Sequence, residues 1–361
     1  MKDAKAECCG SLIPEIPSGK LKVVVFTQWK EYKHYLLSKF KEIFHDSICV
    51  NVTENYLIFE ADFLEFLDVA LVSRDFTPEE LRRIMILPLS RDESFTLDSL
   101  GKMRTFEYWL NLRRGKTLKF VLENESLVTF FQPIVDTETK EVVFYESLSR
   151  GINEGGNLIP PSELFSLAQK LDVNCHINRL SIKKAVESYY SLKFDKPLSI
   201  NLPPDLLVDA KYIVEDIIKP PSPDLLKKIH LEITEAGELD FDEVIELVIK
   251  PLKEKGIKIA IDDVGKGYSS LNRIVKIRPD IVKIDLTLIR NIHQDRLKRY
   301  VVAALTSLCD KESIMVVAEG VETLEEFKTL KELGVRFMQG YLFAKPSPCP
   351  RDIRHPRMSL N

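Results

Sequence analysis

The chain has no CxxC pair, no GxGxxG after its first strand and no apolar run long enough to cross a bilayer, and each lack removes a class of function. Its six cysteines (Cys8, Cys9, Cys49, Cys175, Cys309, Cys349) are scattered, which is neither a zinc pattern nor a disulfide framework and suits a reducing cytoplasm. The adjacent Cys8 and Cys9 read as a frayed terminal pair. The first twenty residues carry Lys2, Asp3, Lys5 and Glu7 without an apolar core, so no secretory signal is expected. The longest apolar runs, such as Val23–Phe26, fall far short of a spanning helix, so no membrane segment is expected either. Nor is there an excess of positive charge. Against 55 acidic residues stand 51 Lys and Arg, and the net charge of −4 argues against duplex nucleic acid as a partner.

With 361 residues, 45% apolar and 29% charged, the chain reads as a soluble globular protein of two or three domains. Residues 1–19 read as a flexible leader ending at Pro14, Pro17 and Gly19. Residues 20–96 read as a small α/β domain of regulatory or sensory kind. Its expected strands are Leu21–Phe26, Ile48–Val52, Tyr56–Glu60, Val69–Val72 and Met85–Pro88. Trp29–Phe44 has helical spacing, and Thr77-Pro-Glu-Glu80 opens a second helix with Thr as N-cap and Pro at the first helical position. Asp62, Asp68 and Asp75 read as surface acids. Residues 97–125 read as a mostly helical connector. Its apolar face (Leu100, Met103, Phe106, Trp109, Leu110, Leu112) either packs on its own domain or serves as a signalling or dimer helix.

From Leu127 the texture changes. Thr129–Val135 and Glu141–Leu148 are expected as two strands around a turn at Thr137–Lys140, followed by helices at about 162–171 and 177–190. Strands at 197–201, 228–233, 257–261, 281–285, 314–318 and 336–338 then alternate with helices at 205–217, 241–255, 269–276, 295–309 and 323–333. Such alternation implies parallel β/α units, and residues 126–350 have the length of one TIM-like (β/α)8 barrel, with 351–361 as a tail. An open doubly wound sheet is the alternative, without its glycine fingerprint.

On the barrel reading, polar residues at the C-terminal strand ends converge on one face. Those residues are Glu146 and Arg150; Asn201; Glu232 and Glu235; Asp262 and Asp263; Lys283 and Asp285; Glu319 and Glu322; and Gln339. Asp and Gly are ordinary turn residues, so any one of these could be a cap or a surface acid. Taken together they are oxygen donors without a His or Cys, which suits hard Mg²⁺ or Mn²⁺ rather than zinc or copper. Unpaired, so many carboxylates would repel one another, and two divalent cations would compensate them. Two metals ~3.5–4 Å apart also form a clamp for phosphate-ester hydrolysis. Lys283 could position the attacking water or contact phosphate; a strand-end lysine paired to a carboxylate is its alternative.

Eight segments, in order, resemble the EAL family of cyclic di-GMP phosphodiesterases over about residues 126–347. They are Phe131-Gln-Pro-Ile134, Tyr145-Glu-Ser-Leu-Ser-Arg150, Ile200-Asn-Leu202, Leu231-Glu-Ile-Thr-Glu235, Asp262-Asp-Val-Gly-Lys-Gly-Tyr-Ser-Ser-Leu271, Val282-Lys-Ile-Asp285, Ala318-Glu-Gly-Val-Glu322 and Gln339-Gly-Tyr-Leu342. The resemblance implies a TIM-like α/β barrel whose first strand is antiparallel to the rest, homodimerisation, and hydrolysis of cyclic di-GMP to linear pGpG. By position, Glu146, Asn201, Glu232 and Asp262 would hold one divalent cation, and Asp262, Asp263 and Glu319 the second. Lys283 would orient the nucleophilic water, and Glu319 would help take its proton. Gln132, Arg150 and Gln339 would contact substrate, while Glu235 and Glu322 would brace the loops. The chain departs from the family pattern at Ser147 of Glu146-Ser-Leu148, at Asn178 in place of an acid, and at Val264 and Lys266 in place of Phe and Thr. Val264 removes an aromatic anchor, and Lys266 brings a cation near the acidic cluster. The alternative to an enzyme is a non-catalytic cyclic di-GMP receptor signalling through the connector.

Overall fold

The computed structural model describes residues 13–27, 30–44, 51–52, 56–73, 75–193, 195–207, 213–218, 223–233, 244–266 and 270–349. Glu235, Cys8, Cys9, Cys49, most of the leader, the tail at 351–361 and parts of the expected helices 205–217 and 241–255 lie outside these residues. The chain divides into two compact units: Met1–Asn124 with Asn153–Gly156 and Ser162–Asn174, and Glu125–Ile152 with Asn157–Pro161 and Cys175–Asn361.

The first unit runs β1 (Lys20–Phe26), α1 (Lys30–Phe44), β2 (Asn51–Val52), β3 (Tyr56–Asp62), α2 (Phe63–Ser73), α3 (Pro78–Arg83), β4 (Met85–Leu89), β5 (Arg104–Thr105), α4 (Phe106–Arg114) and α5 (Lys116–Glu123). Its sheet has the order β2-β3-β1-β4-β5 with every neighbour antiparallel, the arrangement of a split βαβ fold. Alternate residues of β1 and β3 (Val23, Val25, Leu57, Phe59) are buried, and Phe59 meets Phe40 of α1 at 5.7 Å between ring centroids. Phe63 and Phe66 of α2, Phe76, and Phe106 of α4 extend this aromatic core.

Two expectations change here. Val69–Val72, expected as a strand, lies inside α2, because Phe63, Phe66, Leu67 and Ala70 bury at helical spacing and tertiary packing overrides the β-branched residues. Most of the expected connector is part of this unit rather than a separate link. β5 pairs with β4, Trp109 donates its indole N–H to the Ile86 carbonyl at 3.1 Å, and Arg113 grips Asp68 with two hydrogen bonds of 2.7 Å.

The second unit is a closed barrel. Its strands are β6 (Leu127–Asp136), β7 (Glu141–Ile152), β8 (Leu158–Ile159), β9 (Leu198–Leu202), β10 (Ile229–Ile233), β11 (Lys258–Val264), β12 (Ile281–Ile284), β13 (Met315–Ala318) and β14 (Phe337–Met338). The order β6-β14-β13-β12-β11-β10-β9-β7 closes through β6–β7, and β8 is an extra strand on β7. β6 is antiparallel to both neighbours and the other barrel pairs are parallel, as the resemblance implies. Among the helices are α6 (Pro161–Lys170), α7 (Asn174–Ser191), α8 (Ser270–Ile277), α9 (Leu286–Ile289), α10 (Arg296–Lys311) and α11 (Leu324–Glu332). α6 clusters with the first unit. α9 was not expected from the sequence; Asp285, read as a strand end, is its N-cap and accepts from the Thr287 N–H at 2.8 Å.

Glu80 ties α3 to α1. It accepts from the Tyr32 hydroxyl at 2.5 Å and the Lys39 ammonium at 3.3 Å, while closing a capping box with Thr77. Burial works against its charge, but the hydrogen bonds from Tyr32, Thr77 and Lys39 outweigh burial and hold the carboxyl down to about 2. A carboxyl held below its ordinary value contributes stability above that value and loses it as pH falls through its folded value. Glu80→Gln is therefore expected to cost at most about 3 kcal/mol at pH 7 and almost nothing near pH 2. Thermal melts of both proteins across that range check this; equal losses at both pH values would refute it.

Candidate active site

Residues two apart on a strand share a face, and that period builds the site. Ile134, Phe144, Ala260, Ile281 and Val317 form a small apolar cluster against which Phe337 packs. Two residues beyond Phe144, Ala260, Ile281, Val317 and Phe337 come Glu146, Asp262, Lys283, Glu319 and Gln339, and two residues before Ile134 on antiparallel β6 comes Gln132. Asn201 and Glu232 likewise follow Ser199 and His230. A polar tier thus stands directly over an apolar one.

The polar tier is organised by Lys283, whose ammonium is wholly buried. Its Nζ lies 2.6 Å from Glu319, 2.9 Å from Glu232, 3.3 Å from Asp262 and 3.4 Å from Glu146. Burial opposes the charge on Lys283, but the surrounding carboxylates outweigh it and push its pKa well above the ordinary lysine value. One ammonium cannot neutralise four carboxylates. Burial drives Glu232 up to about 8, and burial raises Glu319 well above the carboxylate range, each pushed further by its acidic neighbours.

Second contacts orient these acids. Ser199 donates to Glu232 Oε1 at 2.6 Å, and its backbone carbonyl accepts from Ser147 at 2.9 Å. Gln339 Nε2 donates to Glu146 Oε2 at 2.6 Å and to Gln132 Oε1 at 3.1 Å, and Gln132 Nε2 donates to the Ala344 carbonyl. Ser147 stands out in the sequence only as a departure from the family pattern, and Ser199 does not stand out at all. Ser199 was detectable there, because it precedes Asn201 by one strand period.

Asp262 and Asp263 are consecutive, so a regular strand would point them to opposite faces. The β11–β12 register breaks between Ile261 and Val264, and Asp263 takes a left-handed φ of 58°. Bulges of this kind re-aim side chains next to active sites. Asp262 joins Lys283, while Asp263 shares a hydrogen bond with Asp285 and pairs with Lys266 at 3.5 Å.

The remaining expected residues spread around this centre. Asn201 pairs in register with Glu232 across β9–β10. Arg150 lies over the Phe130 ring at 5.5 Å and donates to the Ser149 carbonyl. Glu322 grips Arg290 through two hydrogen bonds of 2.6 and 2.8 Å at the end of α9. Asn178 donates to the Asp205 carboxylate at 3.1 Å. α9 also seats the two acid-bearing loops: a Cβ on Gly265 would meet Leu288 at 2.3 Å, and one on Gly320 would meet Leu286 at 2.7 Å.

The donor set fits hard divalent cations. It consists of oxygens alone, its excess negative charge is buried, and among the described residues Asp262 Oδ1 accepts no hydrogen bond, its one close cation being the shared Lys283 ammonium at 3.3 Å. Glu146, Asn201, Glu232, Asp262, Asp263 and Glu319 are the residues that could hold such ions. Among the described residues no three acids already close on one point at ligand distance, because the Lys283 ammonium stands between them.

The chain matches a family model described as EAL domain over residues 114–346. It is 31% identical over 255 residues to the cyclic di-GMP phosphodiesterase PdeR of Escherichia coli K12, covering 68% of this chain and 37% of that protein. The chain spans about a third of the length of the curated relatives it matches. A crystal structure of a standalone versatile EAL protein from Vibrio cholerae O395, in a c-di-GMP bound form, is 33% identical with a TM-score of 0.51, covering 61% of this chain and 92% of that one. The fold alone is similar over 91% of this chain and 96% of the other to BlrP1 of Klebsiella pneumoniae, at 24% identity and a TM-score of 0.55. Among the described residues no helix is long and apolar enough to cross a membrane.

Gly340 presses the loop of Gln339 onto the loop of Glu319: Val321 donates its N–H to the Gln339 carbonyl at 3.0 Å, and a Cβ on Gly340 would sit 2.0 Å from the Val321 oxygen. That contact is with backbone, which cannot swing away. Gly340→Ala is expected to destabilise the chain by roughly 3 kcal/mol or more, read as a lowered denaturation midpoint. An unchanged midpoint would contradict the packing described.

Proposed function

The chain belongs to the EAL domain family, and on that premise we propose that it hydrolyses cyclic di-GMP to linear pGpG with two divalent cations, Mg²⁺ or Mn²⁺, in the cytoplasm. The observation that carries this reading is the buried Lys283 ringed by Glu146, Glu232, Asp262 and Glu319. Glu146, Asn201, Glu232 and Asp262 would hold one ion, and Asp262, Asp263 and Glu319 the other. Bound ions of this class polarise phosphate oxygens and lower the pKa of water.

The chain's own residues supply the rest. Lys283 holds the attacking water by its ammonium and faces it toward Glu319, whose carboxylate lies 2.6 Å from that ammonium and is placed to take the proton. Gln339 and Ser199 fix the rotamers of Glu146 and Glu232, so the acids need no reorganisation during the reaction. Gln132, Gln339 and Arg150 meet the dinucleotide; among the described residues Arg150 makes no salt bridge and feels Glu146 only at longer range, which suits it to a phosphate. Glu322 and Glu235 brace the adjoining loops.

The first unit is the regulatory module, and the active form is a homodimer. An exposed apolar stripe of Leu297, Tyr300 and Leu308 on α10, with Leu271 and Val275 on α8, supports a second copy as partner. A second reading, a non-catalytic cyclic di-GMP receptor, is favoured by the Lys266–Asp263 pair, which already places a cation on one expected ligand.

Chromatographic assay of the folded chain with Mn²⁺ or Mg²⁺ tests both readings. Conversion of cyclic di-GMP to pGpG is expected, falling roughly a thousandfold or more in Glu146→Ala and Asp262→Ala. Tight dinucleotide binding without pGpG in either metal would establish the receptor. Near wild-type rates in either variant would refute the ligand assignment.

A further inference from the structure

The turn that leaves β11 returns a cation onto the acids it has just delivered. Lys266 donates its backbone N–H to the Asp263 carbonyl at 3.2 Å, and between them Gly265 takes a φ of 111°, a conformation that side chains rarely adopt. The reversal brings Lys266 Nζ to 3.5 Å from Asp263 Oδ2. The two lysines of the site therefore divide the acids. Lys283 reaches Glu146, Glu232, Asp262 and Glu319, and Lys266 reaches Asp263. The charged groups that face Asp263 are Asp262, Asp285 and Lys266.

These two lysines differ in how they are held. Lys283 is wholly buried, whereas the Lys266 side chain is 60% exposed and carried by a three-residue turn. An exposed ammonium on a flexible stem can leave its carboxylate, but any divalent ion that uses Asp263 must first displace it or share the carboxylate with it. We propose that Lys266 is a tethered cation that competes with a divalent ion for Asp263, so that the chain binds its two ions with unequal affinity and the weaker one is the ion on Asp263. The proposal rests on the two-cation reading above and adds to it a determinant of metal occupancy. It makes Lys266 a positioning residue, acting through Asp263 rather than on the substrate.

Mn²⁺ titration of the full chain, with free ion read by electron paramagnetic resonance, tests this without turnover. Lys266→Thr removes the charge and Lys266→Arg keeps it. Lys266→Thr is expected to tighten the weaker binding step by roughly three- to tenfold while leaving the tighter step unchanged, and Lys266→Arg to match the wild type. An unchanged weaker step in Lys266→Thr, with Mn²⁺ still bound, would overturn the role of Lys266 and leave the two-cation reading standing. Equal tightening of both steps, or tightening in Lys266→Arg as well, would also overturn it. A wild-type chain and a Lys266→Thr chain that both bind no Mn²⁺ would overturn the two-cation reading and this inference with it.

Discussion

A fully buried ammonium is the constraint on which the barrel mouth depends. Lys283 lies where desolvation is most costly, so its charge persists only because four carboxylates surround it. Those acids come from β7, β10, β11 and the end of β13, and they can meet only if the barrel closes with the observed register. Removing the lysine would leave buried, mutually repelling acids, and removing several acids would strand the lysine. The arrangement is therefore stabilised as a unit, while its surplus of negative charge leaves it suited to cations.

The apolar tier beneath gives this electrostatic centre its rigidity. Phe144, Ala260, Ile281 and Val317 fix the height and direction of the strands two residues before the polar groups emerge. His230 belongs to this interior too. It stands edge-on to Phe144 with both ring nitrogens lacking hydrogen-bond partners among the described residues, and burial pushes its pKa down to about 4, so it is a neutral imidazole serving as packing. A histidine beside an expected ligand is thus no donor, in keeping with the oxygen-only set read from the sequence.

Much of the barrel was legible because its signals are local and periodic. Apolar runs such as Ile259–Ile261 end in acids at a spacing that strand-to-helix alternation produces, and Glu146, Glu232, Asp262, Glu319 and Lys283 do converge. What failed to show in the sequence depended on tertiary partners. Val69–Val72 is β-branched in part, yet the aromatic core captures it as helix. The bulge at Asp263 has no composition signal, since register is a property of the pair of strands. Ser199 looks like an ordinary strand polar residue until its acceptor, more than thirty residues away, is known, and Gln339, read as a substrate contact, carries no sequence sign of its bond to Glu146.

The short helix α9 places Leu288 in the space left by Gly265 and Leu286 in the space left by Gly320. Each glycine and its leucine are complementary halves of one contact, and the two contacts share a single four-residue helix. The acid-bearing loops after β11 and β13 are therefore anchored to one another through α9. A larger residue at either glycine is strained by the positive φ as well as by its leucine, and at Gly320 the clash is with the Leu286 Cβ itself, which trimming that side chain does not remove. Three segments that are far apart in the chain thus meet in one small packing unit, and a change in any of them is felt at both acid-bearing loops.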